Sequence, residues 1–171
     1  MVSPGGSHGE MKGGMPPRIV AWPLLAARGV IILAFAIMIA ITFLQVVFRY
    51  LLAAPLPWSE EAARYCFVWI VFLGAALGLQ RGVHLGVDLV VNRLPARMQR
   101  AISILCDILI AGFALSIIYA SGPVLQLNAF QHSPALGIQM SWIYLAIPAS
   151  MVLMLLVTTM RIAATLRTAK G

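Results

Sequence analysis

Asp107 stands well within a long apolar run, about 10 Å beyond Arg100 along a helix. An ionisable group in hydrocarbon is costly and reads by default as functional. It could relay protons or bind a cation, or it could form a hydrogen-bonded structural pair with Arg81 or a neighbouring Gln or Thr. A second cluster is Glu60, Glu61 and Arg64, with Trp58 beside it. Its members are spaced to pair at i, i+3 and i, i+4 on one helix. Such a cluster is either a capped, snorkelling helix end or a docking point where paired carboxylates meet a basic partner. It is not a catalytic pair, because no further acid or nucleophile can be placed beside it. His84 and Asp88 are one turn apart and can hydrogen-bond, but a metal site needs a third ligand. Haem needs axial ligands within a bundle. The histidines fall instead in the N-terminal tail (His8), at an interface (His84) and in a loop (His132). Cys66 and Cys106 lie in apolar runs, where a thiol behaves as a small hydrophobe. No phosphate loop, nucleophile elbow or metal cluster is present. The expectation is a chain that is not an enzyme and carries no cofactor or metal.

The elements that position these residues are set by composition. With 61% hydrophobic and 10% charged residues in 171, the chain lies far from the roughly 25% charged residues of soluble domains. The apolar residues come in long blocks rather than alternating with polar ones, which predicts spanning helices. Residues 1–22, rich in Gly and Pro, read as a disordered tail. Residues 23–163 read as a four-helix membrane domain with spans near 24–48, 60–81, 98–121 and 141–161, and residues 164–171 as a second tail. The first block is too long for a signal-peptide core and lacks a small-residue cleavage site, so it is expected to stay as an anchor. Ser59 reads as the N-cap of helix 2, with Glu60 and Glu61 favourable in its first turn. Helix 2 has a short charge-free part, so Arg64 and Arg81 are expected to snorkel to opposite interfaces. Beyond it, Gln80, His84, Asp88 and Asn92 recur every four residues, predicting an interfacial amphipathic helical segment. Pro95 suits the first turn of helix 3. Residues 108–160 contain no charged side chain and as one helix would be about 80 Å long, so two spans are required. Ser121-Gly122-Pro123 marks a kink and His132-Ser133-Pro134 the turn, and Pro148 falls inside helix 4.

The net charge of +7 could suit nucleic acid, but the basic residues sit at the ends of apolar blocks, where topology accounts for them. Lys12, Arg18 and Arg28, then Arg81, Arg93, Arg97 and Arg100, then Arg161, Arg167 and Lys170 share one side. Arg49 and Arg64 occupy the other. The positive-inside rule therefore puts both termini in the cytoplasm, with Trp58, Trp142 and Tyr144 on the outer interface and Trp22 on the inner one. Gly74, Gly78, Gly82 and Gly86 recur every four residues and would let another helix backbone approach closely, within this chain or in a partner.

One stretch carries a family likeness: Arg49-Tyr50, Pro55-Leu56-Pro57-Trp58-Ser59-Glu60-Glu61, Arg64, Trp69, Phe72-Leu73-Gly74-Ala75, and His84 with Val87-Asp88. Ser133-Pro134-Ala135-Leu136-Gly137-Ile138, Trp142 and Tyr144-Leu145-Ala146-Ile147-Pro148 extend it. Over about residues 28–162 the chain resembles the small membrane subunit, the DctQ family, of tripartite ATP-independent periplasmic (TRAP) transporters. The resemblance implies a non-catalytic small permease subunit in the bacterial inner membrane. Its partners would be a large multi-span permease subunit on a separate chain, a periplasmic substrate-binding protein and membrane lipids. In such systems the large subunit moves an organic acid with sodium ions by an elevator motion and holds the substrate and sodium sites, while the small subunit braces the scaffold. Two other classes remain open on the residues alone: a stand-alone proton- or ion-coupled transporter centred on Asp107, and an anchor subunit for a redox enzyme.

Overall fold

A computed structural model of the chain describes residues 18–80 and 95–168, and within them it is helical with no strand beyond one isolated bridge. Helix α1 runs Arg18–Tyr50, α2 Pro57–Gln80, α3 Ala96–Asn128, α4 Ser141–Tyr144 and α5 Ala146–Thr168. Four segments are long and apolar enough to cross a membrane: Ala21–Tyr50, Pro57–Gln80, Met98–Asn128 and Ser141–Thr165. The expected amphipathic segment, with Arg81, Gly82, His84, Gly86 and Asp88, lies outside the described residues.

Several helix ends differ from the expectations, each for a local reason. Helix α1 already starts at Arg18 and accommodates Pro23 within its first turns. Ser59 is not an N-cap. Pro57 opens α2, a position where its missing N–H would be unpaired in any case. Ser59 then lies inside the first turn, fully buried, with its hydroxyl donating to the Leu56 carbonyl at 2.7 Å. Pro95 stands just ahead of α3 as its N-cap residue. Helix α3 does not end at the Ser121-Gly122-Pro123 sequence but continues through Pro123 to Asn128. At the last span, Pro148 has no N–H to give the Tyr144 carbonyl. The regular ladder is interrupted at Leu145 although its φ of −60° and ψ of −24° stay helical. Helices α4 and α5 therefore form one span, which runs beyond Met160.

The helices form an open row. Helix α1 packs along α2, α2 along α5 and α5 along α3, while α1 touches α5 marginally; among the described residues α3 meets neither α1 nor α2. The seam of α1 is narrow. Leu24, Ala27, Ile31, Ala34, Met38, Ile41, Gln45 and Phe48 are buried or half-buried. Their spacing of alternating threes and fours is that of knobs-into-holes packing between nearly parallel or antiparallel helices. Most of the rest of α1 is exposed apolar surface, including Ile32, Leu33, Phe35 and Phe43. The core joins α1, α2 and α5 through Leu24, Ala27, Leu73, Ala76, Leu77, Leu79, Leu153 and Val157. Lipid tails are as apolar as these side chains, so contact rather than water exclusion holds the helices together. The small residues Ala27 and Ala76 in the seam favour such contact. Span hydroxyls such as Thr42, Ser116 and Ser121 donate to the carbonyl four residues back, satisfying themselves without water.

Candidate functional site

Two polar sites stand at opposite ends of this row, and both involve α2. The first is built from Glu61 and the connection between α3 and α4. Glu61 does not pair with Arg64. One of its carboxylate oxygens accepts from the Tyr65 hydroxyl at 2.6 Å, and the other accepts the backbone N–H groups of Ala135 at 3.0 Å and Leu136 at 3.1 Å. The Ser133 hydroxyl accepts from the Leu136 N–H at 3.2 Å. Charge-assisted bonds such as those to Glu61 are about twice as strong as neutral ones.

The loop offers those groups because its own backbone closes on itself. The Ser133 N–H donates to the Ile138 carbonyl at 2.8 Å, the Gly137 N–H to the Ser133 carbonyl at 3.0 Å and the Met140 N–H to the Gln131 carbonyl at 2.9 Å. Gly137 adopts a φ of +66°, a left-handed conformation that glycine takes without a side-chain clash. Gln139 donates to the Ala129 carbonyl at 2.6 Å, and the Tyr65 hydroxyl also reaches the Met140 sulfur at 3.6 Å. Glu61 thus latches the loop to the first turns of α2. Trp58 is half-buried nearby in sequence, Arg64 is exposed, and exposed Glu60 accepts instead from Gln45 of α1 at 3.3 Å.

The second site lies at the other end. Asp107 of α3 is 1% exposed, and its carboxylate meets the Arg161 guanidinium of α5 at 3.4 Å. The same guanidinium donates to the Leu79 carbonyl at 3.1 Å. That carbonyl belongs to the last described turn of α2. One side chain therefore ties three helices, including two that do not otherwise touch among the described residues. The expected partner Arg81 lies outside the described residues; the partner that the structure supplies is Arg161, expected only as a cytoplasmic-side charge at the end of the last span. Its signal was present in the sequence, since Arg161 is the first charge after the uncharged run and ends up within the span Ser141–Thr165. Buried charge requires such pairing.

The glycine expectation changes as well. A methyl group added at Gly74 or Gly78 would meet nothing within 4 Å, so among the described residues neither glycine admits another helix. Both stand beside exposed Phe67, Val71 and Ala75 on one side of α2. Among the described residues no group of three or more His, Cys, Asp and Glu is placed to hold a metal ion. The arrangement supplies internal ties and apolar faces.

Residues 38–168, which contain both sites, match the family described as tripartite ATP-independent periplasmic transporters, DctQ component. A Haemophilus influenzae protein carrying the name of a TRAP transporter small permease is 31% identical over 138 residues, 81% of this chain and 84% of its own length. The sialic acid TRAP transporter small permease protein SiaQ of Vibrio cholerae is 29% identical over 136 residues, 80% of this chain and 73% of that protein. The isethionate TRAP transporter permease protein DctMQ of Oleidesulfovibrio alaskensis is 34% identical over 127 residues, which are 70% of this chain but 20% of that longer protein.

Proposed function

The chain belongs to the DctQ component family of the TRAP transporters, and from that premise we propose that it braces the immobile scaffold of a large, elevator-type permease subunit on a separate chain. The transported solute is an organic acid moved with sodium ions. Sialic acid and isethionate, named for two relatives, share an acidic function. The substrate and sodium sites belong to the large subunit, and this chain is not an enzyme.

The observation that carries the bracing role is the open row tied at both ends. Arg161 holds α2, α3 and α5 together at one end, and Glu61 holds α2 to the α3–α4 connection at the other. Between the ties lie broad apolar faces, including the Gly74 and Gly78 side of α2. A conduit needs polar groups along its path, whereas Asp107 is engaged by Arg161. The distribution of Lys and Arg supports cytoplasmic termini, which places the Glu61 latch at the periplasmic end. There Trp58, Arg64 and the exposed loop residues His132, Pro134 and Ala135 form a fixed platform for the binding protein.

Reconstitution tests this reading. The chain and its large subunit co-purify, and Asp107→Asn lowers the yield of complex while the complex that does form keeps substantial solute uptake. Loss of all uptake with an undiminished yield of complex would instead make Asp107 part of a conduit.

A further inference from the structure

Beyond the bracing role, the connection between α1 and α2 borders a half-open cavity of about 340 Å³ lined by Gln45, Arg49, Pro55, Leu56, Pro57 and Glu60. Arg49 and Glu60 face the same space from two helices, yet no ion pair links them among the described residues. The cavity has therefore not collapsed onto its own charges. Its walls are stiff: Pro55 and Pro57 have fixed φ, and Ala53 turns the chain with a left-handed φ of 49° while the Ala54 N–H closes on the Phe48 carbonyl at 3.1 Å. A preformed space of this size with a few convergent polar groups is what a small ligand site requires.

We propose that this cavity holds the headgroup of an ethanolamine phospholipid, with the phosphate on Arg49 and the ammonium on Glu60. Arg49 is exposed in the last turn of α1, and its planar guanidinium matches two phosphate oxygens. Glu60 already accepts from Gln45 at 3.3 Å, which steadies the carboxylate and leaves its other oxygen for a donor. A primary ammonium has N–H groups to give. A choline group has none and is recognised by aromatic cages, and no aromatic side chain lines this cavity. A purely anionic headgroup would satisfy Arg49 but face Glu60 unpaired. The location selects lipid over a free phosphoester. The cavity sits where the spans Ala21–Tyr50 and Pro57–Gln80 end, and exposed Phe43, Leu44 and Val46 on α1 continue into the membrane as a surface for acyl chains.

The test uses the full chain, with its large subunit, in nanodiscs of mixed phosphatidylethanolamine, phosphatidylcholine and phosphatidylglycerol, followed by native mass spectrometry of retained lipid. The unaltered protein retains one phosphatidylethanolamine with about tenfold preference over the other two, the scale of one charge-assisted hydrogen bond. Glu60→Gln abolishes the preference over phosphatidylcholine, Arg49→Gln abolishes retention, and Leu56→Phe, which fills the cavity without changing a charge, does the same. Arg28→Gln at the far end of α1 leaves retention unchanged. Equal retention of all three lipids, or an undiminished preference in Glu60→Gln, overturns the assignment. So does full displacement by equimolar glycerophosphoethanolamine, which would make the ligand a soluble phosphoester.

Discussion

Asp107 shows how an intramembrane charge is held. A carboxylate that is 1% exposed cannot shed its partner cheaply, and breaking a buried pair by removing one member typically costs about 3–5 kcal/mol, whereas replacing both members by apolar groups is often neutral. Arg161→Ala is accordingly expected to destabilise the protein by about 3–5 kcal/mol, and Asp107→Leu combined with Arg161→Met to recover most of that loss. Unfolding in mixed micelles measures both, and equal damage in the single and double variants would contradict the pairing. At the other end, Glu61→Gln removes charge from a carboxylate that accepts two backbone N–H groups. Amide hydrogen exchange at Ala135 and Leu136 is expected to accelerate strongly while exchange in the middle of α2 stays unchanged. That Asp107 and Glu61 would need polar partners was legible in the sequence, because charges are rare in spans. Apart from Tyr65, four residues on from Glu61 in the same helix, their partners were not. Spacing within one helix exposes pairs three or four residues apart, whereas the Glu61 contacts cross 74 and 75 residues and Arg161 comes from a different helix.

At the scale of elements, apolar block lengths located four spans, but the ends moved because single residues decide them. Pro57 rather than Ser59 opens α2, and Pro123 is carried inside α3. A proline within a span is tolerated when the freed carbonyl finds another partner or stays shielded, so it does not mark a boundary as it does in soluble helices. The α1 seam was equally hard to see. Its heptad spacing is present in the sequence, but lipid-facing positions are as apolar as packed ones, so no contrast marks the stripe. The connection between α1 and α2 gives a sharper test. Ala53 has a φ of 49°, a conformation that costs a residue with a Cβ roughly 1–2 kcal/mol. Ala53→Gly is therefore expected to stabilise the protein by up to about 1 kcal/mol, the unfolded-chain entropy of glycine offsetting part of the relief. The converse substitution, Gly137→Ala at a φ of +66°, is expected to destabilise by about 1–2 kcal/mol. A rise in melting temperature for the first and a fall for the second is the readout, and the same sign for both would refute the strain argument.

For the whole molecule, a row of helices differs from a closed bundle in what it leaves uncovered. A closed four-helix bundle turns its small residues inward, where they let backbones approach. Here Gly74 and Gly78 of α2 would accept a side chain without meeting anything among the described residues, although α2 lies between two neighbours in the row. Small residues on an open apolar face pack on nothing among the described residues, but they permit close approach of a helix from another subunit. The two settings make opposite predictions for one substitution. Gly74→Leu fills open space in the isolated chain, where leucine is the better helix former, so its melting temperature is expected to stay the same or rise. In the presence of the large subunit the added side chain meets an approaching helix, so recovery of complex by affinity purification is expected to fall at least several-fold. Phe67→Ala on the same side removes apolar contact area and is expected to weaken recovery more mildly. Undiminished complex formation by Gly74→Leu would place the partner on another face of the row, and a destabilised isolated chain would mean that the glycine serves an internal contact after all.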